Sequence, residues 1–138
     1  MYLIDTNVLS EVRKKTKSNG GVQNFFKTAS ASEERFYISV VTVGELRRGI
    51  ELIRYRGDTR QANQLEKWVG ILLTEYADYI LDIDEEIAQL WGKLRSPHHE
   101  HAIDKQIAAT AMIHNLTVVT RNEKDFSKTG AKVLNPFN

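Results

Sequence analysis

Hydrophobic positions along this chain follow two rhythms. Short apolar runs rich in β-branched and aromatic residues occur at Tyr2–Ile4, at Phe36–Val41 ("FYISVV"), at "YIL" near residue 80, in "LTVVT" and, more weakly, in "AKVL". Runs of this kind suit strands buried on both faces. Between them lie longer stretches whose apolar positions recur every three or four residues, the period of an amphipathic helix. "TNVLSEVRKK" is predicted to begin a helix on Thr6 or Asn7, and "GGVQNFFKTAS" forms a second after a Gly-Gly break. Thr42 is the predicted cap of "VGELRRGIELIRYR", and Gly57-Asp58 turns that helix into "TRQANQLEKWVGILLTEY", an αα-hairpin. "DEEIAQLWGKL" carries acids in its first turn, where the helix dipole favours them, and Pro97 stops it. "DKQIAATAMIHN", opened by Asp104 and closed by Asn115, is the last long helix. Strands alternating with helices predict one α/β domain over residues 1–138, a three-layer α/β/α sandwich around a central parallel sheet.

Composition narrows the setting. A chain of 138 residues, 41% hydrophobic and 27% charged, is long enough for one substantial core. No apolar stretch approaches the ~20 residues of a membrane span, and no leader precedes the first strand. A cytoplasmic protein without membrane contact is therefore expected. The absence of cysteine excludes disulfides, thiol catalysis and thiolate metal sites. The net charge of +1 is uninformative, but its distribution is uneven. Cations gather at Arg13–Lys17 and from Arg47 to Arg60, acids at Asp82–Glu86. A nucleic-acid face, with Arg47, Arg48 and Arg54 as candidates, would produce this asymmetry, and so would ordinary solvated helices.

In an open parallel sheet, ligands bind beyond the carboxyl ends of the strands. Asp5 ends the first strand, and Glu45 lies in the first turn of the helix after "FYISVV". Asp104 opens the helix with the small-residue run "IAATA", and Thr120, Asn122 and Asp125 follow "LTVVT". Taken singly, each acid also reads as a helix cap or a surface group. Together they mark one crevice. Clustered carboxylates repel unless a cation neutralises them, and oxygen donors without cysteine select Mg²⁺ or Mn²⁺. Such a site suits metal-assisted phosphodiester hydrolysis.

Other chemistry finds less support. His98, His99 and His101 in "SPHHEHAIDK" do not form H-E-x-x-H, and neighbouring loop histidines are expected to face solvent. No G-x-S-x-G, G-x-G-x-x-G or P-loop occurs. Trp68 and Trp91 fall on apolar helix faces and read as core or interface. A phosphoacceptor receiver domain would want paired acids after the first strand and a lysine after a late one, and neither is present. A non-catalytic RNA- or protein-binding module on the same fold stays open.

"LIDTNVLSE", "ISVVTVGELRRG", "DKQIAATA" and "LTVVTRNEKDF", in this order and spacing, resemble the PIN domain of VapC-type toxins, and the final "VLNPFN" is similar to the end of the FitB-like branch. The resemblance covers almost the whole chain. It implies a Mg²⁺- or Mn²⁺-dependent endoribonuclease acting on structured RNA, such as tRNA or ribosomal RNA, and held inactive by a VapB-like antitoxin. It makes Asp5, Asp104 and Glu45 the metal-binding residues, with Glu45 the glutamate that shapes the site with the metals. Related sequences can carry aspartate where Asn122 stands. Either Asp125 supplies that charge here or the fourth ligand acts only through water. Thr6 and Asn7 match the polar residues that hydrogen-bond the carboxylates, an orienting role. The hairpin residues Leu46, Ile50, Leu65, Trp68 and Leu72 exceed what one flank of a small sheet absorbs. They predict a surface for the antitoxin or for a second copy in a symmetric homodimer.

Overall fold

The computed structural model describes residues 1–138. Five parallel strands form the sheet: β1 (Tyr2–Ile4), β2 (Phe36–Ser39), β3 (Ile80–Leu81), β4 (Thr117–Val119) and β5 (Lys132–Leu134), in the order β3-β2-β1-β4-β5. Tyr2 lies opposite Phe36 on one side and Thr117 on the other, so β1 is central. Connections leave β1 toward β2 and return to β4 on its other flank. That reversal places a crevice at the carboxyl ends of β1 and β4.

Seven α-helices cover the sheet: α1 (Thr6–Val12), α2 (Gly20–Ala31), α3 (Val40–Tyr55), α4 (Thr59–Glu75), α5 (Glu85–Leu94), α6 (Ala102–Ile113) and α7 (Glu123–Ser127). Side chains alternate across each strand and sort into two cores. Ile4, Ile38 and Val119 pack with Val8, Val22, Leu46, Ile50 and Leu72 under α1–α4. Leu3 and Val118 pack with Ile107, Ala108, Ala111 and Phe126 under α6 and α7. The three-layer arrangement expected from the alternating pattern is the one observed.

Several boundaries differ from the sequence expectation. Asp5, not Thr6 or Asn7, caps α1, accepting from the Thr6 amide at 2.8 Å. The strand predicted to reach Val41 stops at Ser39, whose hydroxyl caps α3 by accepting from the Val41 amide at 3.1 Å. Val40 and Val41 are thus helical despite their β preference, because packing overrides propensity. Thr42 becomes an interior position, fully buried, with a hydroxyl that finds no partner. Glu45 moves from the first turn of α3 to the second. α5 ends at Leu94, before Pro97, and α6 starts at Ala102, so Asp104 lies inside its first turn rather than opening it. Leu46, Ile50 and Leu72, expected to leave an apolar surface, are core residues instead.

Candidate active site

The site is built from the ends of β1 and β4. Asp5 is only 4% exposed, and its carboxylate is held from three directions. The Thr6 amide donates to Oδ1 at 2.8 Å, while the Thr120 hydroxyl at 2.8 Å and Asn7 Nδ2 at 3.4 Å donate to Oδ2. Thr120 is fixed in turn by the Asn122 amide, which donates to its Oγ1 at 3.0 Å, and Asn7 by the Arg121 amide at 3.2 Å. Residues more than a hundred positions apart therefore lock one carboxylate. Of the two residues expected to hold the acids, Asn7 does so with its side chain and Thr6 with its backbone amide. Asn122 contributes through its amide, since its side chain makes no hydrogen bond within the chain.

The other acids arrive from separate elements. Asp104 stands in the first turn of α6, Asp125 in α7 and Glu45 in α3. Ligating atoms of Asp104, Asp125 and His101 lie within 4.8 Å of one another, with His101 Nδ1 at 3.9 Å from Asp125 Oδ1. Asp125 thus joins this cluster. His98, His99 and His101 are all exposed, as expected of loop histidines, yet His101 also stands at the edge of the acid cluster. His101 is the N-cap residue of α6, three positions before Asp104, and that closeness in sequence was the one available signal.

Charge is uncompensated here. Burial pushes the Asp5 carboxyl up, and Glu45 and Asp125 add to that push against the lowering effect of the Thr120 and Thr6 hydrogen bonds. Asp104 is pushed up to about 6, first by burial, then by Asp5 and Asp125, with His101 opposing. No lysine or arginine forms an ion pair with Asp5, Glu45, Asp104 or Asp125. One buried carboxylate and three half-buried ones that repel one another and lack a protein cation form a donor set suited to a hard divalent ion, with one imidazole at the edge. Arg47 and Arg54 lie outside this constellation, tied to Glu51 and Glu66 at the α3–α4 seam. Arg48 is exposed on α3 without such a partner.

The chain is similar to known proteins over almost its whole length. The PIN domain family profile matches residues 2–132. Toxin FitB of Neisseria gonorrhoeae is 36% identical over 143 residues, covering 99% of both chains. VapC ribonuclease Y4jK of Sinorhizobium fredii is 29% identical over 143 residues, covering 99% of this chain and 98% of the relative. Among solved structures, a toxin–antitoxin complex from Klebsiella pneumoniae superimposes with a TM-score of 0.64 at 25% identity, covering 100% of this chain and 99% of the other.

Proposed function

Because the chain belongs to the PIN-domain family, we propose that it is a divalent-metal-dependent endoribonuclease and the toxin of a toxin–antitoxin pair. The observation that carries this reading is the convergence of Asp5, Glu45, Asp104 and Asp125 on one sheet edge without a compensating protein cation. Asp5 and Asp104 would hold the ion, with Asp125 and His101 closing the set and Glu45 shaping its far side. A bound Mg²⁺ or Mn²⁺ supplies Lewis acidity at the scissile phosphate and acidifies water. Thr120, Asn7 and the Thr6 amide keep the Asp5 carboxylate oriented, so it presents its oxygens without reorganising. The substrate class is structured RNA, of which tRNA and ribosomal RNA are the candidates that the resemblance to VapC-type toxins supplies.

The antitoxin reading has its own support. A groove of about 730 Å³ between α1, α2 and α4 is lined by Val12, Phe26, Leu65, Trp68 and Ile71. Ile71 is 60% exposed, unusual for a large aliphatic side chain, and such patches mark interaction sites. A partner segment laid in this groove and extended to the sheet edge would bring a basic side chain to Asp5 and Asp104, neutralising the charge that otherwise holds the ion.

The test is RNA integrity. Purified chain with Mg²⁺ or Mn²⁺ should cleave tRNA or ribosomal RNA, EDTA should stop this reversibly, and Asp5→Asn should lower cleavage by about 10²-fold or more, the scale of losing an electrostatic catalytic group. Circular dichroism should show the mutant folded. Equal cleavage by wild type and a folded Asp5→Asn chain would place the activity elsewhere.

A further inference from the structure

Beside the acids lies a second feature that the proposed function leaves unused. A cavity of about 690 Å³ opens between the segment Ser96–His101, the first turn of α6 and α7. Lys105, Lys124 and Lys128 line it, and its only hydrophobic wall residue is Leu94. His101 and Asp125 also line it, so the cavity and the acidic cluster share a wall.

We propose that this cavity seats backbone phosphates of the RNA strand next to the one being cut, with Lys105, Lys124 and Lys128 as the phosphate contacts. The inference rests on the reading of the protein as a ribonuclease and names where its substrate lies. Each of two acid-bearing elements carries a lysine next to its acid in sequence: Lys105 follows Asp104 on α6, and Lys124 precedes Asp125 on α7. Lys128 lies four residues beyond Lys124 and so shares its helical face. None of the three lysines pairs with a carboxylate. Lys105 Nζ donates to the carbonyl of His98, which steadies the chain bordering the cavity and keeps the ammonium charge. Two carboxylates also line the cavity, Asp125 of the ion-holding cluster and Glu100, which stands 4.0 Å from His98, so the three lysines outnumber the acids there.

The physical case is one of opposite charges in sequence along a strand. An RNA strand carries one negative charge per nucleotide, and the carboxylate cluster repels every phosphate except the one facing its ion. Lysines alongside reverse that repulsion for neighbouring phosphates. A nearly non-apolar wall offers little to bases or to an antitoxin's apolar side chains, so contact there is with the backbone and is insensitive to sequence. Of the arginines on α3, Arg47 and Arg54 supply no comparable pull, since Glu51 and Glu66 already neutralise them, which leaves only Arg48 unpaired there.

Fluorescence anisotropy of a labelled single-stranded RNA, with Ca²⁺ replacing Mg²⁺ to suppress turnover, tests this directly. Three phosphate contacts on a single strand contribute about 2 to the slope of log Kd against log salt, at about 0.7 each. The Lys105→Gln, Lys124→Gln, Lys128→Gln chain should therefore lose about 2 from that slope. Between 50 and 200 mM salt its affinity should fall about 20-fold less than that of wild type. Mn²⁺ titration by calorimetry should give the wild-type value, which separates phosphate contact from damage to the ion site. Lys124→Gln alone, on an exposed position, should lose about 0.7 and serves if the triple variant is unfolded. An unchanged slope overturns the proposal. So does an equal loss in an Arg47→Gln, Arg48→Gln, Arg54→Gln chain, which would mean that net charge alone matters. Wild type that leaves RNA intact with every divalent ion overturns the ribonuclease reading itself, whereas wild type that cleaves while the lysine variants bind normally overturns only the cavity.

Discussion

Asp104 shows how a single residue links folding to the ion. Its carboxyl is pushed up to about 6 from an ordinary 3.8, chiefly by burial. Between those two pH values the folded chain holds a proton that the unfolded chain has released. Stability from this group is therefore fully present below about pH 3.8 and is lost as pH rises through about 6. Asp104→Asn removes the penalty. In EDTA, thermal unfolding should give the mutant a higher Tm than wild type at pH 7.5 and an equal one near pH 3.5. A divalent ion should reverse the order at pH 7.5, because it binds the folded wild type and adds about 2.7 kcal/mol at a hundredfold excess over Kd. A mutant that is less stable than wild type in EDTA at pH 7.5 would show the carboxylate to be compensated within the chain.

At the scale of elements, α2 is fixed by the chain's own end. Asn19 caps it, accepting from the Gly21 and Val22 amides, and also receives the Asn138 amide at 3.2 Å. A Cβ placed on Gly21 would meet the Pro136 carbonyl oxygen at 2.3 Å and the Asn138 nitrogen at 3.0 Å. Both are backbone atoms, so they cannot swing aside. Gly21→Ala should cost about 1–3 kcal/mol in urea unfolding, the usual price of forcing extra volume into a packed contact. Gly92→Ala, in α5 with open space where the Cβ would stand, should instead gain up to about 1 kcal/mol from reduced backbone entropy. A gain at both positions would mean that the final residues do not dock on α2. The aromatic ring of Phe137, stacked 4.7 Å from the Arg121 guanidinium, carries the same tail toward the rim of the site.

On the whole molecule, the ion site and the groove between α1, α2 and α4 are separate surfaces, which lets inhibition and catalysis be tested apart. Ile71→Asp adds charge to the groove at an exposed position without touching an acid of the site. It should weaken antitoxin binding by about tenfold or more, in the range of an interface hot spot, and leave RNA cleavage by the free toxin unchanged. Calorimetry with the purified antitoxin and sedimentation of the free chain distinguish the occupants. Normal antitoxin affinity with a smaller sedimentation coefficient would assign the groove to a second copy of the chain. Normal values of both would make the groove an unused surface.

Local pattern determined the architecture. Short continuous apolar runs and three-to-four-residue spacing are set by neighbouring side chains, so the strands, the helices and their parallel arrangement were legible in the sequence, as was the crevice edge holding Asp5 and Asp104. Tertiary structure decided which groups meet. Ending β2 at Ser39 starts α3 at Val40 rather than at the expected Val43, which resets the direction of its side chains relative to the sheet at about 100° per residue. In that register Thr42, Leu46 and Ile50, spaced four apart on one face, are buried, and Glu45 falls in the second turn. The meeting of Asp125 with Asp104, the arrival of His101 and the neutralisation of Arg47 and Arg54 by Glu66 depend on contacts between different elements. Asp5 is held by Thr120 from 115 positions away. No local periodicity encodes a partner at that distance, because the chain brings it near only when the sheet closes.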